Sequence, residues 1–115
     1  MIAVIFEVWP TDGRKDDYLG IAASLRADLD RIDGFISVER FQSLTDPKKI
    51  LSLSFWRNDE AVKKWRNHSG HRESQILGRT GIFADYRLRI AAVIRDYGKT
   101  NRAEVPDDSR IIHGV

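Results

Sequence analysis

LSLSFWRNDEAVKKWRNHSGHRESQILGRTGIFADYRLRIAAVIRDY, residues 51–97, is the stretch whose reading decides the fold. Both of its ends alternate between apolar and polar residues, the pattern of a strand that packs one face on a core. Between them Asn58 is followed by Asp59 and Glu60. A short polar cap with acids at the positive end of the helix dipole marks a helix start. Ser69-Gly70 is expected to break or kink that helix, with Ser69 capping a second piece that runs towards Gly78. Trp65, His68, His71, Arg72 and Gln75 gather within eleven residues there, so any chemistry is expected in this segment.

Outward from the helix, Leu51, Leu53 and Phe55 share one strand face and Ile50, Ser52, Ser54 and Trp56 the other. Small serines beside a large aromatic mean either close helix packing, which the pattern slightly favours, or the floor of a cavity. Tyr86 to Tyr97 reads as a strand with Tyr86, Leu88, Ile90, Ala92 and Ile94 opposed to Arg87, Arg89, Ala91, Val93 and Arg95. It is long against a usual strand of about five or six residues, and is expected to reach beyond its own sheet. Phe35 to Ser43 is another strand, with Phe35, Ser37, Glu39 and Phe41 facing opposite to Ile36, Val38 and Arg40. The turn Thr45-Asp46-Pro47-Lys48 joins it to Lys49–Trp56 as an antiparallel hairpin. At the start, residues 2–9 alternate with both faces mostly apolar, and Pro10, Asp12 and Gly13 end the run. Tyr18, Ile21, Ala22, Leu25, Leu29 and Ile32 then form one helical stripe, which Gly34 closes.

The chain of 115 residues suits one domain, and 42% hydrophobic with 31% charged residues is an ordinary soluble composition. No apolar run approaches the roughly 20 residues that span a bilayer, so no membrane partner is expected. Met1 to Glu7 has no charged leader, and a cytoplasmic protein is expected. The absence of cysteine excludes disulfides, thiolate nucleophiles and cysteine-ligated zinc or iron–sulfur centres. Nineteen basic against 17 acidic residues leave a net charge of +2, too small an excess to indicate nucleic acid. Lys48 to Phe55 also lacks the glycine and aromatic spacing of an RNA-recognition strand. No triad order or glycine-rich phosphate loop stands out.

Strand, helix, strand, strand, helix, strand is the order of an α+β, ferredoxin-like βαββαβ domain with a four-stranded antiparallel sheet, spanning residues 1–97. Helices cover one face of such a sheet. The other would expose aromatic and aliphatic residues in either register, so a homodimer with the two sheets face to face is expected. Residues 98–115 form a polar tail whose final apolar residues are expected to dock on the partner subunit.

Gly34-Phe35, Leu53-Ser54-Phe55-Trp56 followed by Glu60-Ala61-Val62 and Trp65-Arg66, and His71-Arg72-Glu73-Ser74-Gln75 recur in the order found in a known family. Over about residues 1–97 the chain resembles the antibiotic-biosynthesis monooxygenase family. The resemblance implies a dimeric α/β barrel, and either oxygenation of polycyclic phenols without a cofactor or haem degradation. Haem-degrading members are similar through a helix tryptophan, which Trp65 matches. Gln75 stands where they carry a histidine, and Glu7 where they carry a strand-one asparagine. The favoured reading is a cofactor-independent monooxygenase of a small aromatic, phenolic or quinone-type substrate. Haem is the alternative cofactor, and a small-ligand-binding module without turnover the alternative class.

On an unbroken helix Val62, Trp65, His68, Arg72, Gln75 and Ile76 share one side, with His71 at its margin. The plain reading makes Trp65 and Ile76 core and the polar residues its border. The sharper reading is a pocket between helix and sheet, with an apolar wall and a few convergent polar groups. In it His71 accepts a proton or a hydrogen bond, Gln75 and Arg72 stabilise an anion, and Trp65 is the stacking wall. His68 and Trp56 complete the substrate-binding set. His68 and His71 have a spacing that suits two metal-bound imidazoles, but no third ligand is in evidence and no metal is expected. Arg87 and Arg89 share a strand face, where ion pairs with Glu7 or Glu39 are expected in preference to an anion site.

Overall fold

In a computed structural model of the chain, which describes residues 1–68 and 81–109, β1 (Ile2–Pro10) leads into α1 (Lys15–Ser24) and α2 (Arg26–Asp30). There follow β2 (Phe35–Gln42), β3 (Ile50–Trp56), α3 (Asp59–Arg66) and β4 (Phe83–Ala92). The strands form one antiparallel sheet in the order β2-β3-β1-β4, a ferredoxin-like α+β fold. β1 is central and pairs along its length with β3 on one side and β4 on the other.

Register assigns every strand residue to a face. Arg40, Ser52, Phe6 and Leu88 make one row across the sheet, and Val38, Ser54, Val4 and Ile90 the next. These rows lie under the helices. At one end Val8 and Ile50 pack on Tyr18 of α1 and on Ile82; at the other Trp56 packs on Leu29 of α2 and on Ala61 and Val62 of α3. Asn58 caps α3 as expected, its Oδ1 accepting from the Ala61 N–H at 3.0 Å.

Three readings of the sequence are corrected here. The stripe from Tyr18 to Ile32 is two helices rather than one, interrupted at Leu25. Ser24 Oγ donates to the Ile21 carbonyl at 2.6 Å, a local bond that competes with the helical ladder, and the Leu25 N–H turns to Ala22 at 3.3 Å. Phe35 does not share a face with Ser37, Glu39 and Phe41. A register shift between Phe35 and Ser37 turns its ring onto Trp56, centroids 5.1 Å apart, because one extra residue inverts the alternation. The last strand runs from Phe83 to Ala92, not from Tyr86 to Tyr97. Ile2↔Ala92 is its last pair with β1, and beyond it Val93 N–H reaches back to the Met1 carbonyl at 3.0 Å. A strand cannot outlast the partner that satisfies its backbone.

The face away from the helices carries Ile5, Leu51, Leu53 and Phe55 among charged groups. There Glu7 forms ion pairs with Lys49 and Arg89, which bears out the expected cross-strand pairing. Hydrogen bonds from Lys49 and then Arg89 hold the Glu7 carboxyl below the usual carboxylate range. A lowered carboxylate contributes stability above its unfolded-state pKa and loses it as pH falls through the folded value. Replacing Glu7 by Gln is therefore expected to lower Tm at neutral pH, with the difference from the parent protein closing as pH is taken down through the carboxylate range. Thermal melts at a series of pH values read this directly.

Gly34 sets the approach of α3 to the start of β2. Its φ is +93°, its carbonyl accepts from the Arg57 N–H at 2.7 Å, and a Cβ there would stand 2.7 Å from the Ala61 Cβ. Gly13 also has a positive φ, +81°, but no atom lies within 4 Å of its missing Cβ. Gly34→Ala is expected to exceed the roughly 1–3 kcal/mol of backbone strain alone, and to cost more than Gly13→Ala. Urea unfolding of the two variants checks the order.

Candidate functional site

Between the helices and the inner face of the sheet lies a cleft of about 480 Å³. Its floor is Val4, Phe6, Ser52 and Ser54; α1, Leu25 and α2 supply Ile21, Ala22, Leu25 and Leu29; α3 supplies Val62, Trp65 and Arg66. Ser52 and Ser54 stand on the central part of the sheet, where larger side chains would fill this space. The serines therefore form a cavity floor rather than a close helix contact. On the β4 side Leu88 and Ile90 border the cleft while remaining 52% and 46% exposed, so the cleft is open there.

Aromatic rings close two ends. Phe6, Tyr18, Phe83 and Tyr86 make one cluster, with Tyr18–Phe83 at 5.6 Å and Phe6–Phe83 and Phe6–Tyr86 each at 5.8 Å. Trp56 and Trp65 border the other end. Trp56 is 2% exposed, and its Nε1 donates to Ser54 Oγ at 2.9 Å. That bond satisfies a buried indole donor, so Trp56 is as much core as wall.

Of the residues singled out from the sequence, Trp56 and Trp65 meet at the cleft. His68 stacks on Trp65, with ring centroids 5.6 Å apart and planes 22° from parallel. It supports that ring and is not itself among the residues that border the cleft. His71, Arg72 and Gln75 lie outside the described residues, as does the expected break at Ser69-Gly70.

The alternation of β2 puts Arg40 on one face with Val38, and the sequence alone does not mark it as a site residue. It lines the cleft, and its Nε is enclosed with no hydrogen-bond partner among the described residues. A buried, unmatched donor costs about 1–3 kcal/mol. The signal in the sequence was a cation at an inward position of an alternating strand. The remaining charges of the described lining are Arg66 and Asp85.

Among the described residues that border the cleft none is a histidine, the axial haem donor that the family resemblance would call for. Glu7, at the strand-one position, belongs to the opposite face and is held by Lys49 and Arg89.

The same arrangement of sheet and helices is found in solved structures. Rv0793 from Mycobacterium tuberculosis superposes with a TM-score of 0.75 over 84% of this chain and 98% of that one, at 12% identity. An antibiotic biosynthesis monooxygenase structure gives 0.70 over 82% and 99%, at 14% identity. Likeness at that identity concerns the fold alone. In sequence, the chain is 48% identical over 93 residues to a Pyricularia oryzae protein named jasmonate monooxygenase ABM, covering 81% of this chain and 43% of that protein. It is 32% identical over 62 residues to the uncharacterized protein YqjZ of Bacillus subtilis, covering 54% and 53%. The chain thus spans about half the length of the curated relatives it matches. The family model for antibiotic biosynthesis monooxygenase matches residues 1–75, from β1 through α3 and on to Gln75, and the chain belongs to that family.

Proposed function

We propose that this chain is a cofactor-independent monooxygenase that works as a homodimer on a small, largely apolar ring compound able to ionise to an electron-rich anion. The observation that supports this reading is the cleft of about 480 Å³, apolar on most of its surface and flanked by aromatic rings, in a member of this family. Such a cleft orients a ring against an apolar wall.

The chemistry needs little from the protein because the substrate supplies the electrons. A phenol loses its proton, the phenolate passes electrons to dioxygen, and one oxygen atom becomes the second carbonyl of a quinone while the other leaves as water. Phenol plus O₂ gives quinone plus H₂O, in balance without a reductant. Hydroxylating a saturated carbon would need two further electrons from an external donor. Trp65 is the stacking wall in this scheme. His71 as proton acceptor, with Gln75 and Arg72 stabilising the anion, completes it.

The relative named for jasmonate makes jasmonic acid, a cyclopentanone with a carboxylate side chain, the first ligand to try. Calorimetric titration with jasmonic acid and with 1-naphthol is expected to show binding, and oxygen uptake is expected with the phenol in the absence of a reductant. Binding without uptake, with or without added reductant, would make the chain a ligand-binding module. A haemin titration should give no tight one-per-subunit complex. Trp65→Ala is expected to weaken ring binding about two- to twelvefold, the worth of a stacking contact of about 0.5–1.5 kcal/mol.

Dimerisation rests on the face away from the helices, where Leu51, Leu53 and Phe55 remain only partly buried. Leu53→Arg places a charge at the centre of that face and is expected to convert a dimer into a monomer in light scattering.

A further inference from the structure

We propose that Arg40 is the specificity-determining residue of the cleft, and that the ligand it selects is an apolar cyclic acid bound through its carboxylate. The proposal rests on the reading of the cleft as a ligand site.

Four arginines pair with acids among the described residues. Arg14 pairs with Asp17, Arg26 with Asp30, Arg57 with Asp33 and Arg89 with Glu7. Arg40 sits at an inward position of β2, borders the cleft, and has no ion pair among the described residues. Its Nε is closed off from solvent, and the side chain borders the cleft. The acid of the described lining is Asp85, on β4. β4 is three strand spacings from β2 in this sheet, about 14 Å, too far for a direct pair. A cation beside an apolar cleft, with no counter-ion among the described residues, offers a place for one from outside.

The neighbours of Arg40 define the shape of that counter-ion. Ser52 is its cross-strand partner in the row Arg40, Ser52, Phe6, Leu88. A small side chain beside a planar fork of donors leaves room for a carboxylate, which the guanidinium meets through two parallel hydrogen bonds. Beyond Ser52 the row turns apolar. A ligand anchored at Arg40 therefore lays its ring across Phe6 towards the open β4 side, with Trp65 at the end of the cleft.

The test compares jasmonic acid with its methyl ester, identical but for the charge, by calorimetric titration of the full chain at neutral pH. The parent protein is expected to prefer the acid by at least about tenfold, since a charged partner is lost in the ester. Arg40→Met should erase that preference and leave ester affinity within about twofold, while Arg40→Lys should keep part of it. An ester bound as tightly as the acid by the parent protein, or an acid preference that survives in Arg40→Met, would overturn the role of Arg40 and leave the ligand site standing. Failure of the parent protein to bind either compound or 1-naphthol would overturn the ligand site and this proposal with it. Near-UV circular dichroism reports whether Arg40→Met is folded; should it not be, the acid-to-ester ratio in the parent protein and in Arg40→Lys decides.

Discussion

β1 is bonded along its length on both sides, and that double pairing is the constraint on which the rest of the structure depends. A strand with one neighbour can slip and re-pair. A strand with two can slip only if both neighbours move, and a slip of one residue would turn Val4, Phe6 and Val8 away from the helices and bring Glu7 under them. The fully buried Val8 and the ion-paired Glu7 are adjacent residues with opposite needs, and the register satisfies both. The length of β1 also limits its neighbour: β4 ends where Ile2 ends its pairing.

The cleft is a consequence of what that sheet lacks. Close packing of helices on a sheet needs side chains that fill the space between them. Ser52 and Ser54 do not, and the break at Leu25 lets α1 and α2 follow the sheet as separate segments above them. The packed clusters at the two ends, one around Val8, Tyr18 and Ile50, the other around Trp56, Leu29 and Val62, hold the layers apart over the middle. Stability is concentrated at the ends, and the space for a ligand lies between.

The two faces of the sheet treat charge differently. On the outer face Glu7 is met by two cations, and Trp9 gives its Nε1 proton to Asp46 at 2.9 Å while Lys49 lies 5.3 Å from the centre of its ring. These are mutually satisfied groups on a surface otherwise rich in Leu and Phe. The inner face holds Arg40 without an ion pair among the described residues. Alternation along a strand sorts residues between faces, and here it separates an ion-paired network from a cation at the edge of the cleft.

Much of this was legible in the sequence, because much of it is local. Asn58 caps α3 through a bond to a residue three positions on, Gly34 takes a conformation that other residues avoid, and the alternation of β1 and β3 is a property of consecutive residues. Element order and the ferredoxin-like fold follow from such signals. Of the candidate site, Trp65 was legible as an apolar residue at helical spacing, and Trp56 as a large ring beside small serines. The fate of the serines, the face taken by Phe35, the end of β4 and the isolation of Arg40 were decided only by the tertiary structure. Each depends on the distance between groups far apart in sequence: whether a helix fills the space above Ser52, whether a bulge shifts β2 against β3, where β1 stops, and how far Asp85 lies across the sheet. Periodicity fixes the direction in which a side chain points, whereas the presence of a partner there is settled only when the layers come together.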